Sequence, residues 1–191
     1  MKVVNYFKEM NKSNKTKELL LKNACKIFWS KGFSNVSVRE IAKAAGVDVA
    51  LIARYFDSKR GLFEATFQKL KKIEAKDFQS SQELIEAIVE KFSNGDKNNS
   101  EASPLSMILS NADDPEVSEI IKQVQYECWQ KGIEEILGSK HQAAMFFGAI
   151  MGFCVAQQSL SLDGVGKVGS EMYRSQLRYI LETASQSPKN D

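Results

Sequence analysis

The stretch Ser37–Leu62, SVREIAKAAGVDVALIARYFDSKRGL, decides the fold of this chain. Its first four residues, SVRE, form a capping-box pattern, which predicts that a helix begins there. Gly46 is the predicted residue just past the end of that helix, because glycine adopts a left-handed backbone without a Cβ penalty. Asp48 can then cap a second short helix, predicted from Val49 to about Tyr55. A helix, a glycine turn and a short second helix are typical of a helix-turn-helix.

The apolar residues of this stretch indicate which faces are buried. Ile41, Ala42 and Ala45 share one face of the first helix, where small side chains allow a second helix to pack closely. Ile52 and Phe56 are predicted to point inward from the second helix. The residues left for its outer surface are Val49, Ala50, Leu51, Arg54 and Tyr55.

This pattern resembles the tetracycline-repressor (TetR) family of dimeric, ligand-responsive transcription regulators. The matching positions are Ser37, Ile41, Ala42, Ala45, Gly46, Val47, Asp48, Ala50, Ile52, Tyr55, Phe56, Lys59 and Leu62. Upstream, the family's first helix is matched by Leu19, Leu20, Ala24, Phe28, Gly32 and Phe33. The specific resemblance spans about residues 15–70. Beyond these residues, only the helical layout and the chain length are similar. The chain departs at Ala53, where the family usually has a tyrosine that contacts phosphate, so that contact is not transferred.

Charge is unevenly distributed along the 191 residues. The net charge is only +2, but residues 1–60 hold 13 Lys/Arg against five Asp/Glu, a net +8. A basic segment that coincides with a helix-turn-helix favours a phosphate-binding surface. The 43% hydrophobic and 26% charged fractions are ordinary for a soluble globular protein.

The remaining bulk features predict a cytoplasmic protein with no membrane partner. Cys25, Cys128 and Cys154 show no CxxC spacing, which suits a reducing compartment, and each is interpreted as a small core residue or, alternatively, a redox sensor. No signal peptide is visible at the start of the chain. The longest apolar run, residues 143–156, is too short to span a bilayer.

The periodicity predicts an all-α protein of nine helices: a three-helix helix-turn-helix DNA-binding domain and a six-helix ligand-binding and dimerisation domain. The predicted boundaries are a flexible basic arm over 1–14, the DNA-binding domain over 15–57, the effector and dimerisation domain over 58–185 and a tail over 186–191. The arm is either a disordered terminus or a segment that reaches into a DNA groove. Helix four is predicted to run from Ser58 to about Lys76 and so to connect the domains.

Helix eight, predicted from residue 140 to about 160, is apolar on nearly every side and therefore needs cover on every side. Gly148 and Gly152 lie four residues apart, a spacing that allows close approach of a partner helix but also fits packing within the chain. The resemblance implies that the last two helices pair with their copies. We therefore expect a homodimer, which would place two recognition helices on half-sites about 34 Å or a multiple apart.

Apolar residues of helices four to eight exceed what a tight bundle needs, and the resemblance implies a pocket for a small hydrophobic ligand that releases DNA. Phe and Met at helical spacing are also ordinary core residues, and both interpretations stay open. The candidate ligand-binding residues are Phe67, Phe92, Met107, Ile108, Tyr126, Trp129, Met145, Phe146 and Cys154.

Double-stranded DNA is the predicted partner of the amino-terminal helices. Base edges are expected to meet Val38, Arg39, Val49, Ala50, Leu51 and Arg54, since arginine binds guanine in a bidentate manner and small apolar groups suit the thymine methyl. Phosphates are expected to meet Ser37, Tyr55 and Lys59. Asp48 at the start of the recognition helix completes the candidate DNA-binding set. Arg54 could instead be an exposed charge paired with an acid.

The sequence lacks the residues that other functions would require. GVGKVG, residues 164–169, matches GxGxxG, but no strand precedes it, so it is interpreted as a flexible loop. A single histidine, His141, and scattered cysteines predict neither a metal site nor a catalytic triad, and no cofactor is expected. The favoured function is that of a regulator, taken to be a repressor, which a small hydrophobic effector releases from a palindromic operator. The alternative is a helix-turn-helix DNA-binding protein without such an effector, controlled by a protein partner. A third function, that of an all-α enzyme, is set aside.

Overall fold

The computed structural model describes residues 2–68, 70–94 and 103–186, with side chains from Ser13 onward. This part of the chain contains helices and no strand, as predicted. The helices are α1 Lys2–Lys31, α2 Val38–Ala45, α3 Ala50–Phe56, α4 Lys59–Ala65, α5 Ser81–Ser93, α6 Pro104–Asn111, α7 Ser118–Gln125, α8 Lys131–Leu137, α9 Lys140–Cys154 and α10 Glu171–Ser185. Because the π-helical turn Tyr126–Gln130 joins α7 to α8, these ten helices correspond to the nine predicted. None of the helices in the described ranges combines the length and the apolarity that crossing a membrane requires.

Serine caps begin most of these helices. The side chains of Ser37, Ser58, Ser80, Ser103, Ser139 and Ser170 each accept a hydrogen bond from the backbone N–H three residues on, and the SVRE pattern predicted the first of these caps. The cap at Ser37 is not reciprocal, however. The Glu40 carboxylate contacts the ammonium of Lys31 at 2.6 Å.

The amino-terminal arm differs from the prediction. Helix α1 begins at Lys2, so the backbone that was expected to be a loose arm over residues 2–14 is helical, while residue 1 lies outside the described part. This segment contains no glycine or proline, and its lysines, methionine and glutamate favour helix. Nothing in it therefore ends the helix that continues to Lys31. Of the predicted tail, only Gln186 is described.

Helix α4 is shorter than predicted and ends at Ala65. Just past its end, the Thr66 hydroxyl donates to the Phe63 carbonyl at 2.7 Å and accepts from the indole N–H of Trp29 at 3.0 Å. A continued helix would also place Lys72 and Lys76 four residues apart, where like charges repel. The chain instead leaves the helix, and its next regular element is a single 3₁₀ turn, Ala75–Asp77.

The chain divides into two compact units that do not coincide with the predicted domains. The first comprises Met1–Leu70 and Ser100–Val124, and the second comprises Lys71–Asn99 and Gln125–Asp191. The first unit thus includes α6, which the sequence assigned to the effector domain. Its core is an aromatic cluster in which the Phe63 ring lies 4.9–5.2 Å from the rings of Phe28, Phe33 and Phe67.

In the second unit, α10 packs against both α5 and α9. Buried side chains include Leu84 and Ile85 of α5, Phe146 of α9, and Tyr173 and Leu177 of α10. At the edge of this packing, the Arg178 guanidinium donates two hydrogen bonds to the Glu86 carboxylate, at 2.7 and 2.9 Å. These bonds from Arg178 hold the pKa of the Glu86 carboxyl below its usual value.

The loop that carries the GxGxxG match is held by one side chain. The Gln176 amide accepts from the Gly166 N–H at 2.9 Å and donates to the Gly164 carbonyl at 2.7 Å. These two bonds anchor the loop to α10, so the flexible loop expected there is a fixed one. No strand precedes it in the described residues.

Candidate nucleic-acid interface

The turn between α2 and α3 has the predicted construction. Gly46 is left-handed, with φ 66°, and its N–H bonds back to the end of α2. The Asp48 carboxylate then accepts from the Ala50 N–H at 2.7 Å, which satisfies one of the free amides at the start of α3. Ile52 and Phe56 are 2% and 6% exposed, so this pair anchors α3 to the first unit as predicted. Burial of these two residues leaves the opposite face of α3 open.

The predicted DNA-binding residues all lie at the surface of this unit, on α2, the turn, α3 and the first residue of α4. Six of them are exposed: Ser37, Arg39, Asp48, Val49, Ala50 and Arg54. Four are half-buried: Val38, Leu51, Tyr55 and Lys59. The helix-turn-helix therefore presents a continuous run of these side chains, with an arginine on each of its two helices.

A tight turn fixes where α4 begins relative to α3. Asp57 has a positive φ of 64°, and the Ser58 N–H bonds across it to the Phe56 carbonyl at 2.7 Å, which closes a γ-turn. A Cβ at Gly61 would overlap with the same carbonyl oxygen, so only glycine allows α4 to approach this closely. The turn holds Lys59 beside Phe33, with Nζ 4.2 Å from the ring centroid. The ammonium thus has an aromatic partner as well as access to solvent.

Two residues of α1 contact the end of α3, and the predicted set omitted both. The Ser13 hydroxyl donates to the Tyr55 hydroxyl at 3.1 Å, and the Lys17 ammonium lies 5.5 Å from the Phe56 ring centroid. The guanidinium of Arg54 lies 6.0 Å from the Tyr55 ring. Periodicity could have found the α1 pair, since residues 13 and 17 extend the spacing of the apolar stripe at 20, 24 and 28.

The connection from α1 to α2 is clasped by the last residue of α6. Asn111 is 1% exposed, and its carboxamide oxygen accepts from the Phe33 N–H at 2.7 Å. Its amide nitrogen donates to the Met107 carbonyl at 2.8 Å and, more weakly, to the Phe28 carbonyl at 3.4 Å. A lone asparagine gives no sequence signal for this role, because its partner is 78 residues away.

A second clasp follows at Asp114. Its carboxylate accepts from the Ser34 N–H at 3.0 Å and from the Glu116 N–H at 2.9 Å. Burial acts to raise the pKa of Asp114, but the hydrogen bonds from Ser34 and from the backbone N–H groups outweigh it and lower that pKa. Through the bond from Ser34, Asp114 holds the loop that leads to α2.

The candidate ligand-binding residues are divided between the two units. Phe67, Met107 and Ile108 lie in the first unit, and Phe92, Tyr126, Trp129, Met145, Phe146 and Cys154 lie in the second. Met107, Phe146 and Cys154 are completely buried, whereas Met145 is 49% exposed and so does not line the interior of its unit. Trp129 stacks on Phe147 at 6.3 Å and donates to the Lys71 carbonyl at 3.2 Å.

None of the three cysteines forms a disulfide, and the two in the second unit are buried. Burial raises the pKa of Cys154 to about 11 and also raises that of Cys128. Both thiols are therefore held in the protonated form, which favours the core interpretation over the redox one. Within the described residues, no group of three or more His, Cys, Asp or Glu could hold a metal ion.

An exposed face of α9 and α10 carries apolar and small residues. On α9, Met145, Gly148 and Gly152 are exposed, and a Cβ built on either glycine would meet no atom within 4 Å. On α10, Met172 and Tyr179 are 54% and 70% exposed. Within the described part of its own unit, helix α9 thus has a buried side and an exposed side.

Comparison with known proteins agrees with this geometry. Residues 20–66 match the family model described as "Bacterial regulatory proteins, tetR family". The probable HTH-type transcriptional regulator YttP of Bacillus subtilis (strain 168) is 53% identical over 49 residues. That match covers 26% of this chain and 24% of YttP, so the chain matches about a quarter of that relative's length.

Solved structures match over most of the chain. HlyIIR, a hemolysin II transcriptional regulator, is 19% identical with a TM-score of 0.56, over 94% of this chain and 99% of that one. A HlyIIR mutant with residues 169–186 replaced by a linker is 22% identical with a TM-score of 0.61, over 85% and 95%. At these identities the likeness shows the fold.

The amino-terminal site is built on a helix-turn-helix. Its matched segment contains all of α2 and α3, the recognition elements described above. Over these residues the chain is similar to the tetR family of bacterial regulatory proteins.

Proposed function

We propose that this protein is a cytoplasmic DNA-binding transcriptional repressor that binds a palindromic operator as a homodimer and is released by a small hydrophobic effector. The observation that carries the DNA-binding part is the recognition helix: Ile52 and Phe56 anchor α3, while Val49, Ala50 and Arg54 are exposed on it. A helix supported on one face and open on the other can enter the major groove.

The residues of the interface divide into two roles. Arg39 and Arg54 are proposed to read guanine, and the apolar groups of Val38, Val49, Ala50 and Leu51 to meet thymine methyls or base edges. Ser37, Tyr55 and Lys59 are proposed to contact phosphates and fix the register of the protein on the duplex. Asp48 acts through its cap on the Ala50 N–H.

Replacing Arg54 tests the base-reading role. We expect Arg54→Ala to weaken binding to the preferred operator by about 10- to 100-fold, which corresponds to the roughly 1–3 kcal/mol of a bidentate arginine–guanine contact. Binding to random duplex should fall much less, because that duplex lacks the guanine placed at this position. Fluorescence anisotropy titrations on both duplexes, after selection of the operator from random DNA, measure the difference.

Arg60→Ala is the matched control for this prediction. Arg60 is exposed, near the start of α4, and its guanidinium contacts the Glu64 carboxylate at 3.1 Å. Its loss removes the same charge and should affect both duplexes equally. An equal loss on both duplexes for Arg54→Ala would assign Arg54 to the DNA backbone instead.

The homodimer is proposed to form through the exposed face of α9 and α10. Gly148 and Gly152 would let a helix of the second copy approach closely, while Met145, Met172 and Tyr179 would be covered. Twofold symmetry then pairs two recognition helices with two half-sites, which a single short helix cannot provide.

A second candidate function differs from the first only in what releases the protein from DNA. Complete burial of Met107, Phe146 and Cys154 favours a protein without a small-molecule effector, controlled by a protein partner. Screening small hydrophobic molecules against the operator complex separates the two. A molecule that raises the melting temperature of the free protein and weakens operator binding supports the effector, and a screen without such a molecule supports the second candidate.

A further inference from the structure

Helix α1 contributes polar side chains to the surface beside the recognition helix. The Ser13 hydroxyl is 3.1 Å from the Tyr55 hydroxyl, and the Lys17 ammonium is 5.5 Å from the Phe56 ring centroid. Tyr55 and Phe56 are the last two residues of α3. Contacts from two successive turns of α1 therefore meet the end of the helix proposed to read DNA.

The position of these two residues on α1 is unusual. Leu20, Ala24 and Phe28 are completely buried and mark the inward stripe of the helix. Steps of four and three residues carry that stripe back to residues 17 and 13, on the same face. A serine and a lysine thus occupy positions where the stripe calls for apolar side chains, which is expected if a polar ligand meets this end of the face.

The direction of the hydrogen bond leaves the Tyr55 proton available. A hydroxyl has one proton to donate and two lone pairs that accept. Because the Tyr55 oxygen accepts from Ser13, this bond does not use the Tyr55 proton, which can donate to another oxygen. Two cations, Arg54 beside the Tyr55 ring and Lys17 beside Phe56, make the surroundings positive. An anion with acceptor oxygens fits this environment.

We propose that Ser13, Lys17 and Tyr55 form a clamp for one DNA backbone phosphate. Tyr55 donates its proton to a phosphate oxygen, and Lys17 supplies the charge that displaces counterions. Ser13 is a positioning residue: its hydrogen bond fixes the Tyr55 oxygen and leaves the Tyr55 proton for the phosphate. The proposal rests on the proposed function, namely that the protein binds duplex DNA.

A salt series on two duplexes, the selected operator and one of unselected sequence, tests the clamp. We expect Tyr55→Phe to weaken binding about tenfold on both duplexes, since a hydrogen bond to a charged group is lost but no base is read. Ser13→Ala should weaken both about threefold, and Ser13→Ala combined with Tyr55→Phe should be no weaker than Tyr55→Phe alone. Lys17→Gln should lower the slope of log affinity against log salt by about one.

Lys26→Gln is the matched control, because Lys26 is exposed on α1 nine residues from Lys17 and therefore on the opposite face. It should leave the slope unchanged. Melting temperatures establish that each variant is folded. The clamp is overturned if folded Tyr55→Phe and Lys17→Gln bind like the parent protein, or if Ser13→Ala adds its full effect to Tyr55→Phe. A parent protein that binds neither duplex at low salt would overturn the proposed function itself.

Discussion

Gly148→Arg is expected to convert the protein to a monomer and to weaken operator binding at least about a hundredfold, since two linked sites gain roughly 10²–10⁴ over one. Gly148 is exposed, and a Cβ there would meet no atom within 4 Å. An arginine therefore fits the single protomer, and helix α9 loses a residue with low helix propensity. Against a second copy, however, the side chain would fill the space that a glycine leaves for a partner helix and would bury a charge.

Light scattering after size exclusion measures the mass of the variant, and anisotropy measures its operator affinity. Ala87→Arg is the control, because Ala87 is an exposed residue of α5 and receives the same side chain on a different helix. It should remain dimeric and bind normally. If Gly148→Arg stays a dimer with normal operator affinity, the exposed face of α9 and α10 is not the interface.

Asn111→Ala is expected to lower the free energy of unfolding by about 3 kcal/mol, the largest effect on stability among the substitutions considered. The side chain is 1% exposed and makes three hydrogen bonds. Its loss leaves the Phe33 N–H buried without this acceptor, which costs roughly 1–3 kcal/mol alone. The Phe28 carbonyl is less affected, because it also accepts from the Gly32 N–H at 3.0 Å.

Urea unfolding followed by circular dichroism measures this change. Asn35→Ala is the matched control: its amide donates to the Lys31 carbonyl at 2.9 Å, but the site is exposed and water can replace the bond. Its effect should stay below about 1 kcal/mol. Equal effects of the two substitutions would mean that the α6 clasp does not stabilise the connection between α1 and α2.

Much of the fold could be predicted from local patterns. The Ser37 cap, the left-handed Gly46 and the buried pair Ile52 and Phe56 all depend on residues within a few positions of one another, and each was confirmed. The predicted length of α4 was wrong, because the end of this helix depends on a distant residue. Thr66 ends that helix by bonding to Trp29, 37 residues away, and no window of sequence around α4 shows that partner.

The candidate site shows the same division. The candidate DNA-binding residues on α2 and α3 stay predictions, and the sequence could name them because motif spacing and helix geometry are local. Ser13 and Asn111 were missed, since each acquires its role from a partner 42 or 78 residues away. The ligand-binding residues stay predictions: apolar periodicity marks an inward face, but the same periodicity describes a core and a pocket wall.

By itself, the sequence determined that the chain is helical, where most helices begin, and which short segment forms the helix-turn-helix. Helix propensity, capping and turn chemistry act between near neighbours and are therefore written in consecutive residues. The tertiary structure alone decided that α6 belongs with the helix-turn-helix, that α1 reaches the end of α3, and that one side of α9 is left open. Those outcomes depend on hydrogen bonds and contacts between distant segments, which exist only once the chain has packed.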